Sequence, residues 1–339
     1  MKIPAWSTLL LILSAMLGTM PQRLAAEEAQ AQYHSASRLA TLLGMKAESR
    51  TPGEKLEITL SGQGSSIVLK ESQRSCTING IVVHFSKAVI KRHGTLYISD
   101  NDYHKTIKPL LLPQQLAPPK GSLRIVLDPG HGGKDNGAEN NALKLKEKNL
   151  TLSLAKTLKP ILEKRGYKVF LTREKDDFIE LADRPKKSNA LKADLFISLH
   201  FNASPTASVR GVETFILVPA GQVATSGASY KDNAKQPGND WDEWNMLLGY
   251  YVQKQMAEKL GSPDRGLKRA RFAVLRDLNC PGVLVEGGFV SNASEGATIG
   301  SSAHRQKLAT CIADAVDAYA RTMKRVQDEK KRAEATKGR

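Results

Sequence analysis

The chain has 339 residues, enough for two or three domains and a sizeable core. Charged residues at 25% and aromatics at 6% describe an ordinary globular composition, which excludes fibrous and low-complexity classes. The formal charge of +16 favours polyanionic surroundings, but no motif selects nucleic acid, so an anionic cell envelope is the favoured setting.

Residues 1–26 read as a secretory signal. Lys2 supplies the positive start, Trp6–Leu17 is an apolar run too short to cross a bilayer, and Leu24-Ala25-Ala26 offers small residues for cleavage. An uncleaved anchor is the alternative. From 27 to 116 the pattern is a small β-rich domain with a helix at Tyr33–Met45. Its clearest signal is Asn79-Gly80 between the apolar runs Cys76-Thr77-Ile78 and Ile81–Phe85, which predicts a hairpin. A second turn is expected at His93-Gly94. His84, His93 and His104 have no ligand spacing and read as surface or strand histidines. No role for this region is written in its sequence. Residues 117–122, with Pro118-Pro119, read as a linker.

Beyond the linker, strands and helices alternate. Expected strands are Ile125–Leu127, Tyr167–Leu171, Asp194–Leu199, Gly211–Val218, Phe272–Leu275 and Val283–Val285. Expected helices are Lys148–Arg165, Ile179–Leu191 (broken or kinked by Pro185), Trp244–Leu260 and Ala303–Met323. The pattern predicts an α/β fold: a mostly parallel twisted sheet with helices on both faces, preceded by the small β-rich domain. The main domain spans 123–325 and a basic, solvated tail spans 326–339. Cys76, Cys280 and Cys311 read as small apolar core residues, with no Cys-x-x-Cys to suggest a zinc finger or redox pair.

Chemistry-bearing residues gather at the ends of these strands. His131 follows the first, in a glycine-rich turn after Asp128-Pro129; His200 ends the strand from Asp194; Glu286 ends the one from Gly282; and Glu147 opens the helix after the first strand. In a parallel sheet these ends share one edge, where ligands bind. Two imidazoles and a carboxylate suit zinc, leaving a position for water, and a second carboxylate can move the proton. Read singly, each has a plainer reading: His131 and His200 as structural histidines, and Glu147 as complement to a helix N-terminus. Glu286 is harder to dismiss, because a carboxylate after an apolar strand needs a partner. Asp176-Asp177 and Asp183-Arg184 read as solvated charges and helix-start signals. There is no phosphate-cradling loop, no His-Glu-x-x-His helix and no Gly-x-Ser-x-Gly turn.

Several of these stretches together resemble bacterial zinc-dependent N-acetylmuramoyl-L-alanine amidases of the type 3 family. They are Asp128-Pro-Gly-His-Gly-Gly-Lys-Asp-Asn-Gly-Ala138, Glu147-Lys-Asn-Leu150, Asp194-Leu-Phe-Ile-Ser-Leu-His-Phe-Asn-Ala203, Gly211-Val-Glu-Thr-Phe215, the stretch from Arg265-Gly266 to Arg276, and Pro281-Gly-Val-Leu-Val-Glu-Gly-Gly-Phe-Val-Ser-Asn292. The resemblance implies Zn2+ as cofactor, with His131, Glu147 and His200 as ligands and Glu286 as the catalytic carboxylate. It implies hydrolysis of the amide between N-acetylmuramic acid and L-alanine in peptidoglycan, during cell-wall remodelling or daughter-cell separation. The expected partners are peptidoglycan as substrate, an activator protein and an anionic envelope surface, with no nucleic acid. The chain is expected to act as an exported monomer in the periplasm or cell envelope. Two departures stand out. Phe201 replaces the small residue usual after the second histidine, which is expected to narrow the groove. The long Gly/Ser/Asn/Asp-rich stretch before Trp244 lacks the helical period of an autoinhibitory helix and is read as a groove wall or lid over Val223–Gly238.

Overall fold

A computed structural model describes residues 32–119, 123–227 and 234–337. The signal-peptide reading of 1–26 lies outside the described residues.

The first region opens with strand β1 (Tyr33–Ser35) and helix α1 (Ala36–Leu43), shorter than the expected Tyr33–Met45. Ser35 caps α1 through its side chain, and Gly44 ends it in the left-handed region. Strands β2 (Lys46–Arg50), β3 (Glu57–Gly62), β4 (Ser65–Lys70), β5 (Ser75–Ile78) and β6 (Ile81–His84) form an antiparallel meander. The β5–β6 hairpin turns at Asn79-Gly80, both at positive φ (49° and 82°), the geometry that matches strand twist. β7 (Ile90–Arg92) and β8 (Thr95–Ser99) pair around His93-Gly94, and β8 pairs again with β1 in a separate three-stranded sheet. A helical run over 100–111 follows.

The main region contains β9 (Arg124–Pro129), the short hairpin β10 (Glu139–Asn140) and β11 (Leu145–Lys146), α2 (Glu147–Lys164), β12 (Lys168–Leu171), α3 (Asp183–Ala190), β13 (Leu195–Asn202), β14 (Val212–Leu217), α4 (Asp242–Lys259), β15 (Asp264–Ala270), α5 (Ala273–Arg276), β16 (Gly282–Phe289), α6 (Ala293–Gly300) and α7 (Ser302–Lys337). The large sheet has eleven strands in the order β12-β9-β13-β16-β14-β15-β6-β5-β4-β3-β2. It is therefore mixed, and the expectation of a mostly parallel sheet is corrected. Its β12-β9-β13-β16 portion is parallel, β14 runs against β16, and the first region's meander continues the sheet through a bridge between Leu267 and Val83. Strands joined by tight hairpins must run antiparallel, so adding that meander adds antiparallel ladders.

Helices cover both faces. Successive residues of a strand point to opposite sides. Ile125, Leu127, Ile197, Leu199, Val283 and Val285 enter the large core cluster with Leu154 and Leu158 of α2 and Ile312 and Val316 of α7. Val126, Phe196 and Leu284 enter a smaller one with Val274, Leu275 and Leu278. Three local expectations need correction. Phe272–Leu275 is not a strand but leads into the one-turn α5, since so short an apolar run fits either state. The helix expected over Ile179–Leu191 starts at Asp183, which puts Pro185 in its first turn, where proline is tolerated without a kink. The basic tail is not frayed: α7 continues to Lys337, Val326 is fully buried, and the Gln327 amide donates to Pro119 O. All three cysteines are free and buried. No helix among the described residues is long and apolar enough to cross a membrane.

Arg269 of β15 ties the two regions together. It is 2% exposed and donates to Thr106 Oγ1 (2.7 Å), Lys105 O (3.0 Å) and His84 O (3.2 Å), with Asp102 at 3.4 Å. Asp102 is itself fully buried. Arg269→Met strands those acceptors, so it is expected to cost about 3–5 kcal/mol in denaturant unfolding.

Candidate active site

The parallel strands β9, β13 and β16 deliver their carboxyl ends to one edge. In the β13–β16 register, His200 lies directly beside Glu286. Both share the face of Phe196 and Leu284, the side of the smaller core. A cleft of about 440 Å³ opens there, lined by His131, Glu147, His200 and Glu286 together with Leu181, Phe201, Asn202, Phe272, Val274 and Leu284.

Each side chain is held by its own element. β9 ends at Pro129, and Gly130 passes so close to His200 that a Cβ there would sit 2.1 Å from the imidazole Cε1. His131 follows at φ 60°, a left-handed conformation uncommon for a non-glycine residue and typical of strained functional turns. Its Nδ1 is 2.8 Å from Asp135 Oδ2, and its Nε2 is 3.0 Å from Glu147 Oε2. Glu147 is the first residue of α2 and is 4% exposed. Its Oε1 lies 2.9 Å from His200 Nδ1 and accepts from Phe201 N (3.0 Å), while Oε2 accepts from Ala138 N (2.8 Å). Gly137, at φ 66°, leaves no room for a side chain: a Cβ would meet Glu147 Oε2 and His131 at 2.6 Å.

The electrostatics follow from this packing. Burial pushes the Glu147 carboxyl up, but hydrogen bonds from His131 and His200 overcome it and hold Glu147 well below the usual carboxylate range. His131 is pushed down by burial and, more strongly, up by Glu147 and Asp135, so its imidazole sits above its ordinary value. Glu286 behaves oppositely. Its Oε2 is shielded from solvent and has no hydrogen-bond partner. Burial, then the charges of Glu147 and Glu213, raise it well above an ordinary carboxyl group.

One ligand atom from each of His131, Glu147 and His200 lies within 4.8 Å of the others. Two imidazole nitrogens and a carboxylate oxygen, beside the unpartnered Glu286 oxygen, fit a divalent cation, which would offset the crowded negative charge.

Other residues that build the site carried no usable signal in the sequence. Arg184, read there as a solvated charge, is 2% exposed and donates to Asp128 Oδ1 (2.8 Å), Pro129 O (2.9 Å) and His131 O (2.9 Å). Arg173 clamps Pro129 O and Gly130 O at 3.0 and 2.8 Å. Asp176 is exposed but accepts from Gly133 N and Lys148 Nζ. Glu213, opposite Glu286 in the β14–β16 register, is bound by Asn202 (2.6 Å), Arg265 (3.0 Å) and Lys268. Phe201 is buried at 1% exposure: its ring packs beside Gly287 within the large core cluster rather than standing out as an exposed wall. The described start of the stretch read as a lid docks elsewhere. Thr225 N donates to Arg269 O (2.9 Å) and Ala224 O accepts from Arg74 (3.3 Å), and no described residue of Val223–Gly238 lines the cleft.

Sequence comparison adds the decisive observation: the family described as N-acetylmuramoyl-L-alanine amidase (amidase type 3) matches residues 125–318, more than half of the chain. The chain belongs to this family. It is 35% identical to the N-acetylmuramoyl-L-alanine amidase LytC of Bacillus subtilis over 207 residues, covering 61% of this chain and 37% of LytC. It is 39% identical to the endolysin of Bacillus phage SPP1 over 176 residues, covering 52% of this chain and 58% of the endolysin. The chain thus spans roughly two to three fifths of the length of these relatives. Among solved structures, the catalytic domain of the amidase CwlV from Bacillus (Paenibacillus) polymyxa aligns with TM-score 0.50 at 31% identity, covering 59% of this chain and 99% of that domain.

The pairing of Asp135 with His131 Nδ1 leads to a prediction. A carboxylate behind a ligating imidazole fixes its tautomer and orientation. Asp135→Ala is expected to weaken metal binding about 10–100-fold, measured by competition with a chromophoric chelator.

Proposed function

We propose that this cleft hydrolyses the amide joining the lactyl group of N-acetylmuramic acid to L-alanine in peptidoglycan. Zinc is held by His131, Glu147 and His200, and Glu286 is the catalytic carboxylate. The observation that carries the reading is a compact His-Glu-His donor set with an unpartnered carboxylate on the neighbouring strand, in a cleft whose other lining residues are mostly apolar. Family membership supports the bond assigned.

When bound, zinc supplies a Lewis acid for the amide carbonyl and lowers the pKa of water. The remaining work falls to the chain. Glu286 removes the proton from the attacking water and returns it to the leaving alanine amine. Its Oε2, shielded and without a hydrogen-bond partner in the fold, is free to take that proton and give it back. An amide leaves as an amine only if protonated, so the return step is as necessary as the first. Phe272, Val274 and Leu181 give the cleft an apolar side next to these polar groups. Arg173 and Arg184 fix the backbone of 129–131 and so the direction of the His131 ring. The substrate requires an envelope location, in keeping with the signal reading of 1–26 and the net charge of +16.

The test is incubation of the chain with purified sacculi. Solubilisation is expected with zinc, to be lost with chelator, and to return on adding zinc back. Full solubilisation by the chelated chain would refute the reading.

A further inference from the structure

A second set of metal-type donors lies in the first region, far along the chain from the cleft. His34 of β1 and Asp100 and His104 of the helical run after β8 each place one ligand atom within 4.8 Å of the others. His34 Nε2 lies 2.8 Å from Asp100 Oδ1, and His104 Nε2 lies 3.5 Å from the same oxygen. The backbone sets this up. β1 pairs with β8 so that His34 faces Ile98 two residues before Asp100, and Asp100 N donates to Gln32 O (2.8 Å). Asp100 and His104 are four apart on a helical run and share a face. The segment Tyr103–Ile107 is a π-helical turn, a local distortion often found at functional positions. The Tyr103 ring packs 4.5 Å from the His34 ring and holds it in place.

We propose that His34, Asp100 and His104 form a second binding site for a zinc-type divalent cation. Two imidazoles and one carboxylate are the donors such an ion selects, whereas calcium and magnesium want all-oxygen sets. His34 is 6% exposed, whereas the Asp100 and His104 side chains are about half exposed, so an ion enters from solvent and water completes its shell. Among the described residues Asp100 forms ion pairs with these two histidines alone, so no lysine or arginine competes for its charge. A bound ion ties the three-residue β1 to the helical run after β8 and stabilises the first region by mass action. This site binds more weakly than the cleft. His131 is backed by Asp135, whereas the buried Nδ1 of His34 has no partner.

The test uses the full chain, stripped with chelator, titrated with zinc by calorimetry and checked by elemental analysis. Two zinc ions per chain are expected, in a tighter and a weaker step. His104→Ala and Asp100→Asn, both at exposed side chains, are expected to remove the weaker step and leave hydrolysis of sacculi unchanged. His200→Ala is expected to remove the tighter step and keep the weaker one, together with a zinc-dependent rise in melting temperature that is abolished when His104→Ala is added to the same chain. A single zinc per chain, lost in His200→Ala and kept in His104→Ala, would overturn the second site while leaving the cleft's metal reading intact. Two zinc ions that survive both His104→Ala and Asp100→Asn would overturn it as well.

Discussion

Glu286→Gln is expected to lower turnover on sacculi by roughly 10²–10⁴-fold while zinc content and the melting curve stay at wild-type values. The amide is nearly the same size as the carboxylate and preserves the packing of β16 against β13 and β14. It cannot take a proton from water or return one to the amine. It also removes a group whose ionised form is unfavourable in place: Glu286 is raised by burial and by Glu147 and Glu213, and its Oε2 has no donor. The substitution should therefore leave stability near the wild-type value, because no hydrogen bond to that oxygen is lost. Unchanged stability with lost turnover marks a residue that serves the chemistry. Turnover near the wild-type rate would show that another group moves the proton.

Gly130→Ala is expected to lose both metal and activity although the position itself holds no ligand atom. The added methyl would lie 2.1 Å from His200 Cε1 and 2.4 Å from Nε2. The backbone cannot retreat. Gly130 N donates to Leu199 O (3.0 Å), and Gly130 O accepts from Thr151 Oγ1 (2.9 Å) and Arg173 Nη2 (2.8 Å). The imidazole must move instead. A misplacement of about 1 Å in a catalytic arrangement costs on the order of 10²-fold in rate, and the displaced ligand weakens the metal as well. The expected outcome is a folded chain by circular dichroism with substoichiometric zinc and at least that loss of rate. Normal zinc content in this variant would mean that His200 is not a ligand.

Much of the site was legible because it sits on regular structure. His131, His200 and Glu286 each follow an apolar run that is a buried strand, and parallel strands bring such ends to one edge without reference to distance along the chain. What surrounds them was not legible. Arg184 looks like any surface charge in Asp183-Arg-Pro-Lys-Lys187; only the buried Asp128 carboxylate and two backbone carbonyls make it part of the site. The same holds for the fold. β15 reads Asp-Arg-Gly-Leu-Lys-Arg-Ala, a charged stretch that buries Arg269 through partners in the first region, so no apolar period announces it. Because β15 is the strand that joins β6, missing it hid the continuity of the sheet and the mixed pairing. The basic tail failed for a different reason. Glu, Lys, Arg, Ala and Gln are strong helix formers, and that propensity carried α7 past the end of its apolar face. The His34, Asp100 and His104 trio escaped because its donors are spread over seventy residues without a motif, and only the β1–β8 pairing brings them together.

The most direct measurement is the mass of the fragments released from purified sacculi by the zinc-loaded chain. Cleavage at the proposed bond leaves glycan strands with free lactyl carboxyl ends and releases stem peptides intact, each beginning with a free L-alanine amine. Stem peptides cut between their own residues, with L-alanine still attached to the glycan, would contradict it and assign the same cleft to a different bond.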